Sequence, residues 1–317
     1  MKKQDEQVKI DQMVEVSVLK YKMGYSQAKI ADMLGVSAMT VSRMLDESIE
    51  KGIIKISIKT PVDCNDELSE GLIQKFGLKD AFIVKHSPYE DSLVSLSKAA
   101  AYYLDLSICP GDVLGIAAGR TLSHVMQFMK LPLIAREKEQ LEIVQLQGGY
   151  AKMGDRNPTN SIINFANRFG IRGHLLQHPM YLSTEQLAKQ IYEHEMSSLE
   201  KNWGECSILV SGVGIWGPHC VQKEEGLLSE DDFIELEQSQ AVGDLFGRWF
   251  DQKGNYIECS CNRRVVSITP SIQKNVPRKI LVSAGAEKLI AIRAVLSNAL
   301  MNIFISDEFT ARSLLEE

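Results

Sequence analysis

The sequence predicts an α/β protein in two parts: a small helical head over residues 1–60 and a parallel-sheet domain over residues 61–317. Three observations lead there. Residues 26–52, SQAKIADMLGVSAMTVSRMLDESIEKG, have the pattern of two short helices closed around a glycine. Beyond residue 68, short apolar runs alternate with helical stretches, the mark of a sheet covered on both faces. A chain of 317 residues with 44% apolar residues is long enough to bury both cores.

In the head, Ile10, Met13, Val14, Ser17, Val18 and Tyr21 follow helical spacing and predict a first helix that backs the pair. Ser26 and Ser37 stand where helices begin and can accept hydrogen bonds from the first free N–H groups. Gly35 permits the left-handed backbone of the turn, and Ala31 is small enough for a close crossing. Ile30, Leu34, Val36, Val41 and Met44 are the expected core. This is a helix-turn-helix, whose second helix enters a DNA major groove. Candidate DNA contacts are Ser26, Gln27, Ser37, Ala38, Met39, Thr40, Ser42 and Arg43, with Thr40, Ser42 and Arg43 the best donors. Lys51-Gly52 ends the second helix, and the alternation in IIKISIK (53–59) predicts a wing strand.

Charge and composition narrow the class. The net charge is −6, but residues 1–60 hold ten Lys/Arg against eight Asp/Glu, which leaves +2 on the head and −8 on the rest. So weakly basic a head makes few phosphate contacts, and useful affinity calls for two or more heads on one DNA. No apolar run reaches the ~18 residues that cross a bilayer, and the N-terminus carries no signal-peptide pattern, so a cytoplasmic protein is expected. The six cysteines are scattered as free thiols would be. Cys259 and Cys261, two apart, read as one face of a strand; with His219 and Cys220 they lack the paired spacing of a zinc site, and no metal is expected.

After a linker at Thr60-Pro61 and VDCNDE, seven strand-like runs follow: 81–85, 113–117, 142–146, 173–177, 206–212, 279–284 and 302–307. Helical stretches at 95–106, 123–129 and 287–300 lie between them. Ligands of such sheets bind at the carboxyl ends of strands. Four of these ends are rich in glycine or polar residues: Ala118–Thr121, Gln147–Gly149, Ser211–Gly214 and Gly285–Lys288. The Gly119-Arg120-Thr121 turn opens a helix and suits an anion. In AVGDLFGRWFDQKGN (241–255), Asp244 reads either as a hydroxyl acceptor for a ligand or as a helix cap. Phe246, Trp249 and Phe250 read as core, and Asp251–Asn255 as an exposed turn.

The order of these segments, with GDVLGIAAGRTL, VQLQGG, SGVGI, AVGDLFGRWFDQKGN and SAGAEKLIAIRAVLSNALMNIFISDEFTARSLL, resembles the SorC family of sugar-binding bacterial transcription regulators, deoxyribonucleoside regulators included. The resemblance runs from about residue 10 to the end. It implies a Rossmann-like effector domain similar to sugar-phosphate isomerases, a tetramer, and DNA binding that responds to a phosphorylated sugar. Gly119, Arg120, Thr121 and Leu122 match the family's phosphate-facing loop, Gln147 and Gly148 the next strand end, and Asp244 and Lys288 its ligand-facing aspartate and lysine. Ala118 stands where the family often has tryptophan. Gln147 stands where the deoxyribonucleoside branch has a Schiff-base lysine, and glutamine has no amine for that chemistry. Ala38 and Met39 replace an arginine and a proline of some members.

The expectation is a sugar-responsive repressor with operator DNA as partner, no cofactor and no catalytic residues. The alternative is a sugar-phosphate isomerase-like enzyme with a DNA-binding head, for which Asp244 and Lys288 would supply acid–base chemistry.

Overall fold

A computed structural model of the chain describes residues 2–54, 62–87, 89–131, 141–150, 157–217 and 220–316. The chain divides into two compact units, Met1–Pro61 and Val62–Glu317.

In the first unit, α1 (Lys2–Ser17) runs into a π-helical turn (Val18–Lys22), followed by α2 (Gln27–Leu34) and α3 (Ala38–Glu50). Ser26 accepts from the Lys29 amide, and Ser37 from the Thr40 amide. Gly35 closes α2 at φ 65°, the left-handed conformation for which glycine is suited. The core is Val16, Leu19, Ile30, Ala31, Val41 and Leu45, with Leu34 and Met44 partly buried against it. Two expectations shift. Val36 is 37% exposed and Leu45 takes the inner position one turn beyond Val41. On the first helix Met13, Val16 and Leu19 face inward while Val14 and Tyr21 are exposed. Val16 rather than Val14 turns inward within the regular helix, and Leu19 takes the inner position in the π turn that follows. All but the first two residues of the expected wing strand, and Thr60-Pro61 of the linker, lie outside the described residues. The rest of that linker is not free chain. Cys64 bridges to Val84, and Asn65 caps the helix Asp66–Phe76.

The second unit is built on a seven-stranded sheet. Its strands are β1 (Asp80–Val84), β2 (Val113–Ile116), β3 (Glu142–Gln145), β4 (Arg172–His174), β5 (Ile208–Ser211), β9 (Arg278–Val282) and β10 (Ile303–Asp307); β6 (Gly214–Ile215), β7 (Gly243–Leu245) and β8 (Arg248–Phe250) form a separate antiparallel sheet. The large sheet runs β1-β10-β9-β5-β2-β3-β4 with every neighbour parallel. From β2 the chain moves outward to β3 and β4, then returns to the other side of β2 as β5, β9 and β10. That reversal is the switch point of a doubly wound sheet, where a crevice opens at the carboxyl ends. The seven expected strands are these seven. Their central members are buried on both faces, which is why they read as unbroken apolar runs.

The small sheet has its own core of Trp249, Cys259, Cys261, Val265 and Met180. Phe246 and Phe250 are buried as expected. Asp251 accepts from the amides of Lys253 and Asn255, which makes the expected turn. Cys259 and Cys261 do not share a strand. Cys259 precedes the helix Ser260–Arg264, so their spacing is that of a cap and its second helical residue. Both are fully buried.

Candidate functional site

The loops that follow β2, β3, β5 and β9 come from four adjacent parallel strands, so all four lie at one edge of the sheet. At the switch point, Gly119 (φ 139°, ψ 158°) ends the β2 segment and starts the helix Arg120–Phe128. A Cβ at Gly119 would meet nothing within 4 Å, so its face is open. No side chain caps this helix, and the amides of Arg120, Thr121 and Leu122 point out of its first turn. The Leu122 side chain is fully buried, so only its backbone can face a ligand. Arg120 is exposed and Thr121 half-buried.

β6 continues from the loop after β5 and pairs with β7, which sets Gly214 opposite Asp244. Both glycines of this pair of strands are required by close packing. A Cβ on Gly214 would fall 1.9 Å from Asp244 Oδ1, and one on Gly243 would fall 2.5 Å from the Gly214 carbonyl oxygen and 2.9 Å from Ala291 Cβ. Asp244 is 6% exposed. Gln222 Nε2 donates to its Oδ1 at 2.8 Å, and the Gly247 amide to its Oδ2 at 2.9 Å. Burial lifts the carboxyl to about 6, against those two hydrogen bonds and the field of Lys288, which lower it. Asp244 is therefore a strand residue rather than a helix cap.

Lys288 ends the short helical turn Ala286–Lys288 after β9. Burial lowers its ammonium from the usual lysine range; Glu287 and Asp244 oppose that shift, and Arg120 adds to it. Lys288 thus lies close enough to Asp244 and to Arg120 to feel the charge of each, although the three stand far apart in sequence. Gln147 is buried and donates through Nε2 to the Tyr150 hydroxyl at 2.9 Å. Burial raises the Tyr150 phenol, with the charge of Asp244 the second cause. Gly148 differs from its neighbours. Its amide is engaged by the Val266 carbonyl at 2.8 Å, and a Cβ would strike the Pro179 carbonyl at 2.5 Å. Its role is close packing rather than donation.

The sequence did not single out Gln222, Tyr150 or Gly247. Gln222 sits on a four-residue helix, Val221–Glu224, too short to show a periodicity. A cleft of about 680 Å³ beside β4, lined by His174, His178, Glu195 and Asn202 among others, shares no residue with this set. Among the described residues no group of three or more His, Cys, Asp or Glu could hold a metal ion, and no helix is long and apolar enough to cross a membrane. His219 lies outside the described residues.

In the head, Ser37 Oγ and Thr40 Oγ1 lie 2.8 Å apart at the start of α3. Ser26, Ala38, Met39 and Arg43 are exposed, and Gln27, Thr40 and Ser42 half-buried.

Comparison with known proteins bears on the family and the fold. Residues 60–316 match the family model described as "Putative sugar-binding domain". The chain is 28% identical over 309 residues to the deoxyribonucleoside regulator of Bacillus subtilis (strain 168), covering 96% of this chain and 97% of that protein. It is 24% identical over 308 residues to the sorbitol operon regulator of Klebsiella pneumoniae, covering 96% and 97%. The crystal structure of that full-length sorbitol operon regulator, SorC, superposes with a TM-score of 0.71 at 24% identity over 96% of this chain and 99% of that one, which shows the shared fold. These relatives are regulators of transcription, not enzymes. A helix-turn-helix unit followed by a matched sugar-binding domain on a doubly wound sheet places the chain in the SorC family of sugar-binding transcriptional regulators.

Proposed function

We propose that this regulator is a cytoplasmic repressor of a carbohydrate-use operon, released from its operator when a phosphorylated sugar binds at the carboxyl edge of the large sheet. The observations that carry the reading are the uncapped helix start at Gly119 and, at the same edge of the sheet, Lys288 within electrostatic reach of Arg120 and of the buried Asp244 carboxylate. A phosphate dianion suits the uncapped amides of Arg120–Leu122 together with the two cations. Asp244 and Gln147 would then accept from and donate to sugar hydroxyls, which are poor ligands for a purely cationic site.

Ligand binding alters DNA affinity only if one arrangement of the assembly binds the sugar better than another. The small positive balance of the head favours an oligomer, a tetramer by likeness to the family, that sets several heads on repeated half-sites. The test is a gel shift on the DNA upstream of the protein's own gene, titrated with a panel of aldose, ketose and alditol phosphates, alongside a thermal-shift screen of the same panel. One phosphorylated compound is expected to raise the melting temperature and release the DNA. Lys288→Ala and Thr121→Ala are expected to remove both effects. Binding unchanged by every phosphosugar, with release by an unphosphorylated one, would overturn the phosphate assignment.

A further inference from the structure

The outward face of α3 is fixed by what the helix buries. Val41, Leu45 and Ser48 turn into the small core. Glu47 reaches back to Lys9 of α1 at 2.7 Å, which holds the rotation of α3 about its axis. At about 100° per residue, the positions opposite the buried row are 39, 43, 46 and 50. They are Met39, Arg43, Asp46 and Glu50, and all four are exposed. The N-terminal part of the second helix is what reaches base edges in a helix-turn-helix. That leaves Met39 and Arg43, one turn apart.

The exposed helical positions in the first turn of α3, Ala38 and Met39, are apolar. Ser37 Oγ accepts from the Thr40 amide at 3.1 Å and lies 2.8 Å from Thr40 Oγ1, so one hydroxyl proton of the pair is held within the turn. Ala38 offers a methyl group. Met39 is 82% exposed among the described residues. The base edges of the major groove present one apolar group, the C5 methyl of thymine. Against guanine, adenine or cytosine, a thioether side chain would strip water from donors and acceptors without replacing their hydrogen bonds. Against a thymine methyl it buries apolar surface on both partners, and its flexible chain adapts to the groove.

We infer that Met39, with Ala38 beside it, reads thymine methyl groups, so each operator half-site carries thymine under the first turn of α3. Arg43, one turn on, then faces a base with two acceptors, guanine. This rests on the DNA-binding reading above and adds to it the chemistry of the bases that the head selects.

The experiment starts by enriching duplexes from a random-sequence pool with the full chain. Each thymine of the enriched half-site is then replaced in turn by deoxyuridine, which lacks only the C5 methyl, and binding is followed by fluorescence anisotropy. At one or two thymines the replacement is expected to weaken binding by about three- to fivefold per half-site, the worth of one buried methyl. With Met39→Ala that sensitivity is expected to vanish at the same thymines, while Met39→Leu, still apolar, keeps it. Position 39 is exposed and helical, and alanine favours helices, so both variants should melt with the wild type by circular dichroism. An enriched half-site whose thymines all tolerate uracil, or a uracil penalty undiminished in Met39→Ala, would overturn the inference and leave the DNA-binding reading intact. Failure of the full chain to enrich any duplex would overturn that reading and the inference with it.

Discussion

Asp244 carries a charge in a place that resists it. Its carboxyl titrates at about 6 in the folded protein, against an ordinary aspartate value of ~3.9. A carboxyl raised by folding favours the folded state below the unfolded value, and that advantage is lost as pH rises through the folded one. The Asp244→Asn variant is therefore expected to be more stable than wild type at pH 7, by up to about 3 kcal/mol, with the gap closing towards pH 4. Urea unfolding at the two pH values measures it. The same variant should bind its effector about ten- to a hundredfold more weakly, the worth of a hydrogen bond to a charged acceptor. Gly214→Ala probes the seat of that carboxylate. A Cβ 1.9 Å from Oδ1 must displace it, with an expected loss of about 1–3 kcal/mol and of the effector-induced rise in melting temperature. Lys288 and Gly119 were legible in the sequence because each sits at a turn after a strand, where chain geometry alone favours a ligand. Asp244 was legible only as an acceptor. Its strand has three residues, too few to display an alternation. Gln222 and Tyr150 reach the site through tertiary contacts that no local pattern records.

At the scale of elements, caps and runs were legible and phases were not. Ser26, Gly35 and Ser37 occupy the positions their chemistry predicts. Removing one cap should destabilise the head alone. Ser37→Ala is expected to lower its stability by about 1 kcal/mol and to weaken DNA binding, since the Thr40 amide and hydroxyl both lose a partner. Thermal unfolding and anisotropy read the two effects, and a variant that binds DNA unchanged would separate the cap from recognition. The central parallel strands were visible as apolar runs because both of their faces are covered, whereas β4, at the sheet edge, is largely exposed. The antiparallel sheet of β6, β7 and β8 was not, since its strands are two or three residues long. On the first helix Val16, not the expected Val14, faces the core, and a spacing of two placed Cys259 and Cys261 on a strand when they begin a helix.

For the whole molecule, charge sets the mode of action. A head with a balance of +2, joined to a remainder of −8, is poorly held by DNA on its own. A duplex with two half-sites is expected to bind about a hundredfold or more tightly than one with a single half-site. Equal affinities in an anisotropy titration would contradict a multivalent assembly.

The sheet also joins distant parts of the chain. β1 lies at one edge against β10, formed more than two hundred residues later. The helix Asp66–Phe76 is clasped there by the helix Glu308–Glu316, with Lys75 Nζ donating to the carbonyls of Leu314 and Leu315 at 2.9 and 3.2 Å. This clasp dictates an order of events during synthesis. The head is a compact unit bounded at residue 61 and, as N-terminal domains generally do, is expected to fold while the ribosome is still at work. The sheet domain must wait for residues 303–316 to emerge before its first strand has a partner. For the time it takes to translate the rest of the chain, a nascent protein is then expected to carry a folded head without its sheet domain.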